Sequence, residues 1–272
     1  MSTLLQRAII ALTFGPLALF LIYLGGLFYA IPLAIVILLA TVEFVQLTRR
    51  LGWRTSYFIL LPIVFAFCVA GWWQEFQLIE PILLISLLVV LAYALWLYEV
   101  RQEGASVATW MAMIGGVLLL GWLGSYFFRL RGQELRIEWQ WTMLAMVGTW
   151  IADSAAYMVG KFLAGNVLGK HPLSPRLSPN KTVEGYVGGI VLGTAVTLLI
   201  AHFLQLPLMG ALILALLISV VSPLGDLGIS LLKRQSGVKD SSTLFRSHGG
   251  ALDRIDSLIW SVAMAFYVTQ YF

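Results

Sequence analysis

The stretch LMGALILALLISVVSPLGDLGI, at 208–229, contains a single charged residue, Asp226. An apolar run of about 20 residues is long enough to cross the hydrocarbon core of a bilayer as an α-helix. It leads directly into SLLKRQSGVKDSSTLFRSHGGALDRID, at 230–256, where basic side chains, a Gly-Gly turn and carboxylates are concentrated. The two stretches together predict a membrane helix followed by a polar segment at the membrane surface.

Apolar runs of this kind recur along the whole chain of 272 residues. The composition is 60% hydrophobic and 11% charged, whereas a soluble domain has about 25% charged residues, so an ordinary soluble domain is excluded. We predict an all-α polytopic integral membrane protein with nine spans. They lie at about 8–26, 27–47, 57–73, 81–98, 110–128, 141–162, 186–205, 208–229 and 255–272. We expect one membrane domain over 1–272, with a helical scaffold at 1–140 and a catalytic half at 141–272 whose cytoplasmic loops are 163–185 and 230–253.

The distribution of basic residues predicts the orientation. With nine spans and a cytoplasmic N-terminus, 14 Lys and Arg residues fall in inside loops, and only Arg129, Arg131 and Arg136 fall outside. Cytoplasmic loops of membrane proteins carry an excess of Lys and Arg. We therefore expect the N-terminus and the 230–253 loop to be cytoplasmic and the C-terminus to be external.

Three carboxylates flank the 230–253 loop. Asp226 lies at the end of the eighth span, and Asp253 and Asp256 begin the ninth, where their spacing predicts one shared helix face. Carboxylates at a membrane boundary are costly unless they are paired or bind metal, and Mg²⁺ favours one or two carboxylates together with substrate phosphates. The alternative is a set of helix caps and ion pairs with Arg234 and Arg254.

Other polar positions have both a functional and a structural interpretation. Asn180 and Lys181 precede a helix that Thr182 or Ser178 can cap, which suits either anion binding or an ordinary cap. His248 either contacts phosphate or packs, beside glycines that allow close backbone approach or positive φ. Asp153, inside the sixth span, is either functional or hydrogen-bonded to a neighbouring helix.

Three further positions are interpreted as structural. We expect Glu43 to pair with Arg49 or Arg50. His171 and His202 have no companions in the sequence and are assigned no function.

Gly185, Gly189 and Gly193 recur every four residues in the seventh span, with Gly188 alongside. Small residues at this spacing let membrane helices approach closely. The pattern predicts a helix-packing face or a homodimer face. No GxxxxGK[ST] motif occurs, so a P-loop is not indicated.

The polar segments resemble the signature of the phosphatidate cytidylyltransferases, also called CDP-diacylglycerol synthases. The resemblance rests on S-x-L-K-R-x4-K-D-x-S from Ser230 to Ser242 and on H-G-G-x-L-D-R-I-D-S from His248 to Ser257. It extends to Ala152-Asp153-Ser154 with Tyr157, Gly160 and Lys161, to Ser178-Pro179-Asn180-Lys181-Thr182 with Glu184-Gly185, and to Gly225-Asp226. It covers roughly 150–260. One departure is Arg246-Ser247, where family members usually have Pro-Gly.

The resemblance implies the reaction CTP + phosphatidate → CDP-diacylglycerol + pyrophosphate, with Mg²⁺ as one or two ions. The expected partners are CTP and phosphatidate in the bilayer, with no nucleic acid. Asp226, Asp253 and Asp256 would hold metal, and Lys233, Arg234 and Lys239 would neutralise the triphosphate. Substrate contacts are expected from Asp153, Asn180, Lys181, Ser230, His248 and Arg254.

Two other functions fit parts of the pattern. A cytidylyltransferase or kinase for another membrane lipid would use the same phosphate chemistry with a different acceptor pocket. An ion-coupled transporter would place polar groups near the bilayer midplane, whereas here they gather at the inner boundary in one half of the chain. We expect a bacterial inner-membrane enzyme with a cytoplasmic active site.

Overall fold

The structure is a computed structural model that describes residues 3–73, 76–102, 104–132, 138–164, 169–244 and 249–272. Its described part is almost entirely helical, as the apolar composition predicts, because a helix satisfies its backbone hydrogen bonds within one segment. The helices are α1 Thr3–Leu24, α2 Gly26–Arg50, α3 Tyr57–Trp72, α4 Ile79–Arg101, α5 Ser106–Gly116, α6 Gly124–Arg131, α7 Glu138–Met158, α8 Val183–Phe203, α9 Leu208–Gln235, α10 Leu252–Ile255 and α11 Leu258–Thr269. A short antiparallel hairpin is formed by β1 Pro172–Ser174 and β2 Ser178–Thr182.

Among the described residues, six helical segments are long and apolar enough to cross a membrane. They are Gly26–Arg50, Ile79–Arg101, Ser106–Arg131, Trp139–Leu163, Val183–Phe203 and Leu208–Gln235. Thr13–Leu24 and Tyr57–Trp72 are apolar but shorter. Helices overlap all nine predicted spans, yet the count of nine and the orientation stay predictions.

The chain divides into two compact units. The first consists of Met1–Gln133 with Leu232–Ile255, and the second of Glu134–Leu231 with Asp256–Phe272. The end of α9 and the loop that follows it therefore pack with the N-terminal helices. The prediction of one membrane domain with a sequential scaffold and catalytic half stays a prediction.

The first unit has an aromatic core supported by backbone contacts. Phe67 and Phe127 are both at most 1% exposed. The Tyr29 hydroxyl donates to the Phe127 carbonyl at 3.1 Å. The Arg131 guanidinium donates to the Ile22 carbonyl at 2.8 Å and so satisfies one of the free carbonyls at the end of α1.

The second unit is built on close packing of α7 against α8. A Cβ added to Gly185 would lie 2.7 Å from the Ala156 carbonyl, and one added to Gly193 would lie 2.9 Å from Ala152 Cα. The packing interpretation of the glycine pattern is therefore confirmed. Because α7 covers this face within one chain, the face is not available as a dimer contact. The homodimer itself stays a prediction.

Two local features differ from the prediction or were absent from it. The expected shared helix face of Asp253 and Asp256 is wrong, because α10 ends at Ile255 and Asp256 lies in the turn before α11. The Asp256 carboxylate accepts from the Ser257 amide at 2.7 Å, a local bond that competes with helix continuation. Wider π-helical turns at Val117–Leu123 and Val159–Leu163 were not predicted.

Candidate active site

One cluster of predicted site residues lies in the second unit, around Asp226. The hairpin strand β2 runs directly into α8, where the Thr182 hydroxyl accepts from the Gly185 amide at 3.0 Å and confirms the predicted cap. This junction presents Lys181, whose ammonium contacts the Asp226 carboxylate at 2.5 Å. Ser230, one turn further along α9, donates to the other oxygen of Asp226 at 3.3 Å. A basic group, a carboxylate and a hydroxyl are thus gathered at one point.

Asp256 lies close to the same part of α9. A Cβ added to Gly225 would lie 2.5 Å from the Asp256 carbonyl oxygen, so the backbones beside Asp226 and Asp256 approach closely. Asp256 itself is 8% exposed. The second unit therefore contains two of the three carboxylates predicted to bind metal.

A second cluster, in the first unit, is centred on Asp253. The Lys233 ammonium donates to one oxygen of its carboxylate at 2.6 Å. The other oxygen accepts from the Ser241 amide and hydroxyl and from the Gly250 amide, at 2.8 to 2.9 Å. The side chains of Lys233 and Asp253 are only 9% and 6% exposed. The partner of Asp253 is therefore Lys233, rather than the Arg234 or Arg254 of the ion-pair alternative.

The environment of Asp253 favours its charged form. Burial alone would raise the pKa of this carboxyl, but hydrogen bonds from the Gly250 amide, the Lys233 ammonium and the Ser241 amide hold the pKa below its usual range. Asp253 is thus an ionised anchor for the loop.

Glu43 was assigned to the wrong partners. Its carboxylate on α2 accepts from the hydroxyls of Ser241 and Ser242 at 2.7 and 2.6 Å and from the amides of Ala251 and Leu252 at 3.0 and 2.8 Å. The predicted partner Arg49 instead donates to the Thr55 carbonyl. No local spacing could have revealed this, because about 200 residues separate Glu43 from the loop.

Most of the other predicted residues lie at the surface. Asn180, Arg234, Lys239 and Arg254 are exposed, and Arg234 donates to the Val238 carbonyl at 3.1 Å. Asp153 is exposed on α7. His248 lies outside the described residues, as do Arg246 and Ser247, but Gly249 beside them has the expected positive φ, of 75°.

His171 has a partner after all. Its Nδ1 lies 2.5 Å from the Glu184 carboxylate, across the junction between the hairpin and α8. The interpretation that it had no companion is therefore wrong.

Comparison with known proteins identifies the family. The chain matches the cytidylyltransferase family over residues 5–272. The chain belongs to the cytidylyltransferase family. Its relatives include a phosphatidate cytidylyltransferase of Synechocystis sp., 33% identical over 96% of this chain and 95% of that protein. One of Brucella suis biovar 1 is 34% identical over 98% and 93%, and one of Bacillus subtilis is 32% identical over 85% and 81%.

In this cytidylyltransferase two of the three predicted metal ligands are paired with lysines. Within the part of the chain that the structure describes, no three His, Cys, Asp or Glu side chains are grouped as metal ligands. Asp226 and Asp253 each hold a lysine instead. Asp226 is the more accessible of the two, with its side chain 32% exposed.

Proposed function

We propose that this protein catalyses the reaction of CTP with phosphatidate to give CDP-diacylglycerol and pyrophosphate. The observation that carries the proposal is the match over nearly the whole chain to the cytidylyltransferase family and to relatives named phosphatidate cytidylyltransferase. The six long apolar helices among the described residues fit an acceptor that stays in the bilayer. The protein is thus a membrane nucleotidyltransferase.

The chemistry requires charge neutralisation more than a strong base. A phosphate monoester has a second pKa of about 6, so the attacking oxygen of phosphatidate is largely ionised at neutral pH. That oxygen forms a bond to the α-phosphorus of CTP while the bond from the α-phosphorus to the bridging oxygen of the leaving pyrophosphate breaks. Both reactants are polyanions, so positioned cations and in-line geometry supply the catalysis.

Several basic side chains of the two clusters and of the segment after α9 can neutralise phosphate charge. We assign Lys233, Arg234 and Lys239 to the triphosphate and the departing pyrophosphate, and Asn180 and Lys181 to substrate phosphate. The Asp226 and Asp253 carboxylates orient the ammonium groups of Lys181 and Lys233 before substrate arrives. Such preorganisation avoids rearrangement when phosphate binds.

Mg²⁺ dependence is part of the proposal. Asp226 and Asp256 would hold the ion, since Mg²⁺ takes one or two carboxylates together with phosphates. When bound, it would neutralise charge on the phosphates of CTP. Asp253 is less suited than Asp226 in this structure, because four hydrogen bonds already hold its two oxygens and its side chain is 6% exposed, against 32% for Asp226. We place the enzyme in a bacterial inner membrane because its relatives are bacterial proteins, and we place its active site on the cytoplasmic side because of the charge distribution of its loops.

Labelled CTP distinguishes cytidylyl transfer from lipid phosphorylation. Purified protein in mixed micelles with phosphatidate is given CTP labelled at either the α- or the γ-phosphate. We expect α-label in the lipid product and γ-label in pyrophosphate. γ-Label in lipid would instead establish a kinase, and α-label in lipid only when another acidic lipid replaces phosphatidate would change the acceptor.

A further inference from the structure

The carboxylate of Glu43 is the most completely enclosed acidic group described in the first unit. Glu43 is 4% exposed, near the end of α2. Two hydroxyls and two backbone amides of one distant segment donate to it: Ser241, Ser242, Ala251 and Leu252. Among the contacts of the described residues, none joins Glu43 to a Lys or Arg. Its carboxylate oxygens therefore accept hydrogen bonds from this segment.

These four donors come from the two ends of one segment, 241–252, which lies between α9 and the start of α10 and is called the loop below. The Ser241 and Ser242 hydroxyls lie at its start, and the Ala251 and Leu252 amides at its end. A carboxylate has two oxygens that each accept more than one hydrogen bond, and here each oxygen takes one donor from each end. Glu43 therefore holds the two ends of the loop together, and we call its contacts with Ser241, Ser242, Ala251 and Leu252 the clasp.

The clasp is continuous with the ion pair of Asp253 and Lys233. The single proton of the Ser241 hydroxyl is shared between the Glu43 carboxylate, at 2.7 Å, and the Asp253 carboxylate, at 2.8 Å. Gly250 donates to Asp253, and a Cβ at this glycine would overlap both the Glu43 carboxylate and the Ser241 hydroxyl. A glycine is thus required for the close approach that joins the two carboxylates to one segment.

We propose that Glu43 is a positioning residue for cytidylyl transfer, which fixes the two ends of the Ser241–Leu252 loop and through them the Asp253–Lys233 pair. We assign Glu43 to positioning rather than to substrate contact, because it is 4% exposed and both of its carboxylate oxygens accept hydrogen bonds from the loop. Its effect is to hold the two ends of the loop in place before CTP arrives, so that binding does not have to order them. The catalytic part of this inference rests on the proposed function, whereas the anchoring part does not.

The test is Glu43→Gln, compared with the same exchange at the exposed Glu99 on α4. Glutamine has the same shape, but its NH₂ group must face one of the two donor pairs and cannot accept from it. Amide hydrogen exchange measures the anchor directly. We expect exchange at Ala251 and Leu252 to rise at least about tenfold, as for one lost hydrogen bond to a charged group, with α8 unchanged.

The rate of cytidylyl transfer tests whether Glu43 acts as a positioning residue. We expect kcat/KM for CTP to fall at least about tenfold in Glu43→Gln, the factor for one such bond, when it is measured at a temperature at which thermal unfolding shows this variant and Glu99→Gln to be folded. Ser242→Ala removes only one of the hydroxyl donors to Glu43. It is the variant to measure if Glu43→Gln does not fold. We expect it to give a smaller change of both quantities in the same direction.

The outcomes separate the two claims. Unchanged loop exchange in a folded variant would overturn the anchor, and faster exchange with wild-type kcat/KM would overturn the positioning. Faster loop exchange in Glu43→Gln, in a preparation whose wild type makes no CDP-diacylglycerol, would support the anchor and count against the proposed function.

Discussion

The two lysine–aspartate pairs have nearly the same contact distance but differ in burial. Lys233 and Asp253 have side chains 9% and 6% exposed, whereas Lys181 and Asp226 are 29% and 32% exposed. Removing one partner of a buried pair leaves the other charge uncompensated. An exposed pair is solvated and contributes little. The pairs should therefore respond differently to the same substitution.

Asp253→Asn should lower the free energy of unfolding by about 3 kcal/mol, the lower end for breaking a buried pair. Asp226→Asn should lower it by less than about 1 kcal/mol, as for an exposed pair. Thermal or denaturant unfolding of the purified proteins in detergent measures both. Equal losses at the two positions would contradict the assignment of a stabilising anchor to Asp253.

The contribution of Asp253 should depend on pH. Because its folded-state pKa is lowered, its contribution is fully present above the unfolded-state pKa of about 3.9 and is lost as the pH falls through the folded-state pKa. The difference in stability between wild type and Asp253→Asn should thus be constant from neutral pH down to the unfolded-state pKa and shrink below it. A difference that grows on acidification would show that the folded-state pKa of Asp253 is raised rather than lowered.

At the scale of elements, the sequence predicted those local features that depend on residues adjacent in the chain. The cap at Thr182, the positive φ at Gly249 and the glycine face of α8 all follow from a few adjacent residues, and all are confirmed. The clasp at Glu43 and the break between α10 and α11 depend on contacts or competing bonds that spacing does not reveal. The hairpin lies inside the predicted loop 163–185, and the sequence did not predict it, since strands of three and five residues leave little periodicity.

Gly250→Ala should destabilise the loop by about 1–3 kcal/mol, the usual cost of overpacking, because its Cβ would overlap the Glu43 carboxylate. Gly228→Ala is the control. It lies within α9, and nothing stands within 4 Å of its added Cβ, so alanine should be neutral or stabilise by up to about 1 kcal/mol. Unfolding in detergent measures both, and a neutral Gly250→Ala would rule out the close approach.

Gly189→Ile should separate α7 from α8. A Cβ at Gly189 would already lie 2.9 Å from the Ala156 Cβ, so the larger side chain should cost at least about 1–3 kcal/mol. Val187→Ile on the exposed side of the same helix, where Val187 is 52% exposed, is the matched control. Melting temperatures that fall equally in both variants would argue against the packed glycine face.

At the scale of the whole molecule, the sequence predicted a polytopic helical membrane enzyme, and the family match agrees with that class. The number of spans and the orientation depend on the bilayer, which hydropathy and loop charges describe only indirectly. Nine spans would place the two termini on opposite sides. The loops after α4 and after α6 would then face opposite sides as well.

Single-cysteine labelling tests that topology. The only cysteine, Cys68, is buried and would be replaced by Ala, and cysteine would be introduced at Gly104 or Gly132. In cells with a permeabilised outer envelope, a membrane-impermeant maleimide should label Gly132→Cys and leave Gly104→Cys unlabelled until the cells are lysed. The reverse pattern would invert the orientation, and equal labelling of both in unlysed cells would contradict the assigned spans.

The central claim is tested most directly by the rate at which purified protein makes CDP-diacylglycerol from CTP and phosphatidate in mixed micelles, with Mg²⁺ or with EDTA. We expect product only with the metal. Asp256→Asn should retain less than about a tenth of the rate, a loss of at least 1.4 kcal/mol of transition-state stabilisation, while Glu99→Gln retains the wild-type rate. No product from folded wild-type protein would contradict the proposed reaction, and full activity in EDTA or in Asp256→Asn would contradict the metal site.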